Sequence, residues 1–360
     1  MKIKDKDLYY VGGVVRDEIL GLPSVDIDFC YEGNALEYNI GLKIIKRNPD
    51  FGTIRVLDND GNEIDIASTR TETYPKAGHL PVVDKIGCSL IEDLRRRDFT
   101  INAMAKNTET GEIVDFFNGL NDIKEEKLKV LHDNSFIDDP TRIIRGLKFS
   151  VRFGFELDEH TKELQEKYLE NINYDMSFHR LKKELKETFD LNSELALNKF
   201  INEKIYKLLG KNQTIPKLNN SISTLNEKYK PNLVYMTFLG LFNLENLELN
   251  NDEKAIIEAY NKIKDFTSLD DVEIYKTFNS CPIESIILYA ATIDTNIAKR
   301  YLEHLSSIKL NISGNDLLKL GIKQGKIYKE VFEELLQEKI KKPEMERKQE
   351  IEFVKERFMQ

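Results

Sequence analysis

The sequence predicts an α+β protein, with a small mixed sheet and helices first and an all-helical remainder after it. Two observations carry this expectation. Residues 1–133 alternate short β-like runs with turns. From Asp138 onward the apolar positions recur at helical spacing and strand signals nearly vanish. A chain of 360 residues is long enough for two or three domains with a sizeable core.

Taken in order, Tyr9–Val11, Val25–Cys30, Thr53–Leu57 and Glu63–Ser68 read as strands, and Val14–Gly21 reads as a short helix. Gly33-Asn34, Asn59-Asp60-Gly61 and Thr110-Gly111 punctuate them as turns. Ile143, Ile144, Leu147, Val151 and Phe155 then mark the first long helix. The polar segment 207–232, rich in Lys and Asn and containing Pro216 and Pro231, reads as a loop or a poorly packed connection. A second boundary is expected near 311–314.

Composition excludes more than it assigns. Hydrophobic residues make up 41% and charged residues 32%, ordinary for a soluble globular protein, and no apolar run approaches the ~18 residues of a membrane span. The N-terminal residues show no apolar signal core, so a cytoplasmic location is expected by default. Cys30, Cys88 and Cys281 lie far apart without CxxC spacing and read as packed thiols. The net charge of −9 argues weakly against nucleic-acid binding, which usually leaves a basic footprint, but does not exclude it, because charge can be local, as in the basic stretch 339–348. Oligomeric state is not assigned by the sequence.

Chemistry concentrates in four places. Gly12-Gly13-Val14-Val15-Arg16-Asp17 is followed by Asp26-Ile27-Asp28. Residues two apart on a strand share a face, so Asp26 and Asp28 would present two carboxylates side by side, a hard-oxygen pair suited to Mg²⁺. The glycines let the backbone approach a phosphate, a following helix N-terminus favours anions, and Arg16 adds a cation there. Most isolated DxD pairs are solvated surface carboxylates, and the combination is what makes this one specific. Asp65, flanked by Ile64 and Ile66, is either a solvent-facing strand residue or a functional carboxylate. In the second case it would be a base for an attacking hydroxyl or a further metal ligand.

The third place is Arg95-Arg96-Arg97-Asp98-Phe99-Thr100-Ile101-Asn102-Ala103-Met104, and the fourth is Asp138-Asp139-Pro140-Thr141-Arg142-Ile143-Ile144-Arg145. In the last, Asp138 or Asp139 is expected to cap a helix with Pro140 in its first position, and Asp139 and Arg142 to share a helical face. Other features carry less. His132-Asp133 lacks a second metal-spaced His and reads as a loop dipeptide, and Gly12-Gly13 does not fit the GxGxxG dinucleotide pattern. Phe149, Phe153 and Phe155 read as core.

These motifs, GGVVRD (12–17), DID (26–28), RRRDFTINAM (95–104) and DDPTRIIRGLKFSVRFGF (138–155), resemble those of the class II tRNA nucleotidyltransferase and bacterial poly(A) polymerase family, within the polymerase-β-like superfamily. Order and spacing agree over about the first half of the chain, and 312–330 is similar to the family's C-terminal signature. The resemblance implies a nucleotidyltransferase head at 1–133 and a helical neck with base recognition at 134–190. A helical body at 191–310 and an RNA-binding helical tail at 311–360 would follow. It implies Mg²⁺ at Asp26 and Asp28; Asp65, from its place on the strand, is the further candidate catalytic carboxylate. It implies nucleotide contacts from Gly13, Arg16, Arg97, Asp139, Arg142 and Arg145, and Gly12 and Asp98, which lie in the same motifs, are expected to join them. The implied partners are tRNA, ATP and CTP, with no membrane. The implied reaction adds C and A to the tRNA 3′ end and releases pyrophosphate; the A-adding, CC-adding and poly(A) activities of the family share the same motifs.

An Asp–Arg pair would read the base, because cytosine and adenine both offer an amino donor beside a ring-nitrogen acceptor, and uracil and guanine reverse that pattern. Two departures from the family stand out. Asp138-Asp139 replaces a frequent Glu-Asp, with little effect expected. His179, within SFHRLKKEL (177–185), stands where an acidic residue is usual, which bears on local helix contacts. The segment between Gly33 and Asp50 and the loop at 71–90 are the expected places for movement between C and A addition.

Overall fold

The structure, a computed structural model, describes residues 4–24, 27–38, 41–57 and 61–359. The chain divides into two compact units, residues 1–213 with 245–248, and residues 214–244 with 249–360. No helix among the described residues is long and apolar enough to cross a membrane.

The first unit is built on a mixed seven-stranded sheet. Its strands are β1 (Leu8–Val11), β2 (Phe29–Tyr31), β3 (Lys43–Asn48), β4 (Thr53–Leu57), β5 (Glu63–Ser68), β8 (Met104–Asn107) and β9 (Ile113–Asp115). They lie in the order β3-β4-β5-β2-β1-β8-β9, with β2 and β5 parallel and the other pairs antiparallel. Between β5 and β8, β6 (Arg70–Thr73) and β7 (Val82–Ile86) form a separate hairpin. Alternation decides what each strand buries. Phe29 joins Leu8, Ala35, Ile54, Val56 and Ile66 on one side of the sheet. Its neighbour Cys30 joins Val11, Leu90, Leu94, Ala103 and Ala105 on the other.

Helix α1 (Gly13–Ile19) follows β1, and α2 (Leu90–Arg95) opens on a capping box between Ser89 and Glu92. After α3 (Gly119–Lys124), the short β10 (Lys127–Leu128) and α4 (Ser135–Asp138) comes the first long helix, α5 (Thr141–Phe153). It buries Ile143, Ile144, Leu147 and Phe149. Next come β11 (Glu156–Leu157), paired with β10, then α6 (Glu159–Glu170), α7 (Phe178–Phe189) and α8 (Glu194–Asn202).

The second unit is helical: α9 (Ile222–Tyr229), α10 (Val234–Leu239), α11 (Asn251–Ile263), α12 (Asp271–Phe278), α13 (Ile283–Thr292), α14 (Thr295–Glu303), α15 (Gly314–Lys319), α16 (Lys326–Lys341) and α17 (Arg347–Phe358). Its last three helices bury Ile312, Leu317, Val331, Leu335, Met345 and Val354 together. A buried Lys339–Glu350 pair at 2.8 Å ties α16 to α17, and Glu350 also accepts the Asn311 and Ile312 amides.

Strands β4 and β5 have the expected bounds, but four local expectations need correction. The second strand begins at Phe29 rather than Val25. Val25 and Asp26 lie outside the described residues, as do Asn59 and Asp60 of an expected turn. Ile27 and Asp28 are exposed and precede the strand, although the Asp28 carbonyl still accepts the Val11 amide at 3.1 Å. The long helix ends at Phe153 because Gly154 takes a left-handed φ of 78°, so Phe155 re-enters the core beyond it. The polar 207–232 segment contains α9, capped by Ser221 and anchored by buried Ile222 and Leu225, which its Lys- and Asn-rich composition hides. Asp139 is extended, with φ −142° and ψ 93°, and so is not on a helical face with Arg142. The cause is Pro140, whose ring disfavours the helical region for the residue before it.

Candidate active site

The site begins where β1 hands over to α1. Gly12 has φ 73° and ψ −131°, and a Cβ there would stand 2.8 Å from Arg97 Nη1. The positive φ is what favours glycine here, since the Arg97 end group, at the far end of a flexible side chain, can shift away from an added Cβ. Gly12→Ala is expected to cost about 1–3 kcal/mol and to lower the thermal midpoint by several degrees. An unchanged midpoint would show that the turn relaxes without strain.

Arg97 and its neighbour Arg96 are organised by one buried carboxylate. Asp93 accepts from Arg97 Nη2 at 3.2 Å, from Arg96 Nη2 at 2.9 Å and from the Arg70 amide at 3.1 Å. Burial alone would push the Asp93 carboxyl up; the Arg97 and Arg96 guanidiniums beside it hold it below the usual carboxylate range. Arg97 Nε is a buried donor with no hydrogen-bond partner among the described residues. The Arg97 side chain also lines a cleft, where a guanidinium is suited to an anionic ligand.

Arg16 is buried rather than projecting. It donates to Asp17 Oδ1 from Nε at 2.9 Å and Nη2 at 2.7 Å, and to Asn102 Oδ1 at 2.5 Å. Its guanidinium lies over the Phe149 and Phe153 rings at 5.2 and 4.7 Å. Asp98 is likewise buried. Its Oδ1 accepts from the Phe99 amide and Asn102 Nδ2, and its Oδ2 from Arg145 Nε at 2.7 Å. Burial opposes ionisation of Asp98, but Arg145 and these hydrogen bonds bring its pKa down to about 2. Arg145 is pushed above its ordinary value, first by Asp98, and it also donates to Glu184 on α7 at 3.2 Å.

Asp139 sits between α4 and α5. Its Oδ1 accepts from the Thr141 amide at 3.1 Å and hydroxyl at 2.6 Å, and its Oδ2 from Arg180 Nη2 at 2.5 Å. Arg142 donates to Ser135 Oγ at 2.7 Å, the Arg96 carbonyl at 2.9 Å and Tyr74 Oη at 3.2 Å, with His132 Nε2 3.5 Å away. Burial first, then Arg142, lowers the His132 pKa, so a neutral ring faces the guanidinium. The loop between β6 and β7 closes onto this region: the Gly78 amide donates to the Asp138 carbonyl, and Arg180 Nη1 to the His79 carbonyl at 3.2 Å.

Gly12, Gly13, Arg16, Arg97, Asp98, Asp139, Arg142, Arg145 and Asp28 thus line one cleft of about 620 Å³. A neighbouring cavity of about 430 Å³ shares Asp28, Arg70, Arg96 and Arg97 with it and is also lined by Asp65, Lys46 and Arg55. Carried back one residue, the parallel register Phe29↔Ile66 sets Asp28 beside Asp65. Asp65 is exposed and pairs with Arg55 across the strands at 2.7 and 2.8 Å, which holds its carboxyl below the usual range. The strand alternation of the sequence thus puts Asp65 at a cavity but does not reveal Arg55 as its partner. A larger cleft, of about 1050 Å³, lies within the second unit and holds none of these residues.

Sequence reasoning did not single out Asp93, Asn102, Tyr74, Arg180 or Glu184. Asn102 and Asp93 flank the arginine run, and Arg180 and Glu184 lie three and seven residues after Ser177 in the segment flagged for His179. His179 itself is exposed, and Ser177 caps the helix by accepting the Arg180 amide.

Residues 8–129 match the family described as Poly A polymerase head domain. An A-adding tRNA nucleotidyltransferase of Halalkalibacterium halodurans is 29% identical over 90% of this chain and 82% of its own length. A CCA-adding enzyme of Streptococcus uberis is 30% identical over 83% of this chain and 76% of its own. Longer A-adding relatives from Aquifex aeolicus and Geobacter sulfurreducens are matched over 20% and 42% of their lengths. Among solved structures, a CCA-adding enzyme in an apo form superimposes with TM-score 0.79, at 28% identity over 96% of this chain and 91% of that one. A CCA-adding enzyme in complex with ATP gives 0.74, at 26% identity over 98% and 91%.

Proposed function

Since the chain belongs to the tRNA nucleotidyltransferase and poly(A) polymerase family, and is a nucleotidyltransferase, we propose that it adds C and A nucleotides to the 3′ end of tRNA. The substrates are CTP, ATP and tRNA, and the site of action is the cytoplasm. The observation that carries this reading is the single cleft joining Asp139 and Arg142, which can read a base, to Arg97 and Asp28, which can receive a triphosphate.

The RNA 3′-hydroxyl loses its proton to solvent as its oxygen attacks the α-phosphate, a new P–O bond forms, and the bond to the β-phosphate breaks with release of pyrophosphate. Arg97, which lines the cleft, serves the phosphates, and Gly12 leaves room for it. Gly13 lines the same wall. Arg16 and Asp98 act by buried pairing: Arg16 pins α1 to Asn102, and Asp98 aims Arg145 into the cleft. Asp139 offers an acceptor to the amino group of cytosine or adenine, and Arg142 a donor to the adjacent ring nitrogen.

The family generally uses a divalent metal, and the residues present fit Mg²⁺. No group of three or more His, Cys, Asp or Glu is placed for a metal among the described residues. Mg²⁺ does not need one, because it is commonly held by one or two carboxylates together with substrate phosphates. Asp28 supplies a hard oxygen where the two cavities meet. Asp26, outside the described residues, is the second candidate from the motif. Bound there, the metal would neutralise the triphosphate and favour the attacking oxygen. Asp65, held low by Arg55, is better suited to balancing charge than to taking a proton.

The test uses three tRNAs, lacking CCA, ending in CC and ending in CCA, each given CTP, ATP or both. The expected result is two additions from CTP alone to the first, one from ATP to the second, three from the mixture to the first, and none to the third. Extension of the CC-ending tRNA alone would support the second reading, an A-adding enzyme, which the A-adding relatives favour. A stop after two C residues, or a long A tail on unrelated RNA, would replace the proposal with CC addition or poly(A) synthesis.

A further inference from the structure

The carboxylate assigned to base reading is already engaged by the protein. The Thr141 amide and hydroxyl hold Asp139 Oδ1 from within the same turn and set the plane of the group. Oδ2 accepts from Arg180, 41 residues along the chain on α7. Arg180 reaches it because Ser177 caps α7 at its start and because the other arm of the guanidinium rests on the His79 carbonyl. Asp139 is buried, whereas the Arg180 side chain is 26% exposed, so Arg180 is the partner with room to swing. It lines the same cleft as the groups proposed to receive the triphosphate.

We propose that Arg180 is a specificity-determining, positioning residue: it orients Asp139 and occupies Oδ2 until a base carrying an amino group takes its place. The inference rests on the reading of Asp139 given above and deepens it. A cytosine or adenine amino group replaces one N–H donor by another, so the carboxylate stays satisfied throughout. A uracil or guanine carbonyl cannot make that exchange. It would displace a charge-assisted hydrogen bond and leave two acceptors facing each other, the arrangement a polar site rejects most strongly. Arg180 thus makes displacement itself a check on the base, before any phosphate is transferred.

The experiment compares single-nucleotide addition to tRNA by the full chain and by Arg180→Ala, Arg180→Lys and Asp139→Ala, with each of the four nucleoside triphosphates. Arg180→Ala is expected to lower the ratio of C and A to U and G incorporation about tenfold or more. The change should fall in relative kcat/KM between nucleotides, with KM for CTP moving by less than about threefold. Arg180→Lys should restore part of the selectivity, since an ammonium can donate to Oδ2 without also holding His79. In an Asp139→Ala background, Arg180→Ala should change selectivity no further.

Equal loss on all four nucleotides, or undisturbed selectivity, would overturn the inference, as would a further loss on top of Asp139→Ala. If Asp139→Ala relaxes base choice and Arg180→Ala does not, this inference alone fails. If neither variant alters base choice, the reading of Asp139 fails with it. Should Arg180→Ala not fold, Arg180→Lys and Arg180→Gln carry the same comparison.

Discussion

Asp28→Ala is expected to slow nucleotide addition about a thousandfold, roughly 4 kcal/mol of barrier, while leaving the fold intact. The carboxylate is exposed at the meeting point of the two cavities, and it is the backbone carbonyl that bonds to β1. Removing the side chain therefore takes away an oxygen ligand without removing a ladder hydrogen bond. The result should appear in single-turnover incorporation with Mg²⁺, with a circular-dichroism melting curve close to the parent's. Asp28→Asn should be nearly as slow, because the neutral amide cannot balance a cation's charge. Near-parental turnover by either variant would remove Asp28 from the chemistry.

Asp98→Ala carries the second large effect, on stability. The substitution leaves the buried face of Arg145 without its nearest charge and orphans Asn102 Nδ2 and the Phe99 amide. Loss of one partner of a buried pair costs about 3–5 kcal/mol, and the low end applies here because Arg145 keeps Glu184. The same group fixes a pH dependence. Its folded-state pKa of about 2 lies below the value of about 3.9 ordinary for an aspartate in the unfolded chain. Its contribution is therefore fully present above pH ~4 and is lost as the pH falls toward 2 and below, in total about 2 kcal/mol. Urea unfolding followed by circular dichroism at pH 7 and at stepped acid pH should show a lower midpoint for Asp98→Ala. It should also show a smaller loss on acidification than the parent. Equal midpoints at pH 7 would mean that Arg145 and Asn102 find other partners. Asp98→Asn should fall between the two, since it keeps an acceptor and loses the charge.

The sequence by itself determined that a sheet-bearing head precedes a helical remainder, the bounds of β4 and β5, and the short motifs whose side chains gather in one cleft. Those features are local. A period of two or of 3.6, a glycine where φ must be positive, and a carboxylate next to a strand are all written within a few residues. Even Asp139's departure from the helix was legible in principle, because Pro140 alone disfavours helical geometry one residue earlier. What only the tertiary structure decided is which groups face one another across the cleft. Arg97 against Gly12, Arg16 against Asn102, Arg145 between Asp98 and Glu184, and Arg180 on Asp139 each join residues about 40 to 86 positions apart. Such pairings depend on how the sheet, α5 and α7 pack, and local propensity contains no record of it. The basic run at 95–97 illustrates the difference. As sequence it is three adjacent cations, and in the fold one buried Asp93 turns two of them into a wall and leaves an Arg97 donor without a partner among the described residues, because burial makes each charge find its nearest counter-charge wherever the chain has placed it.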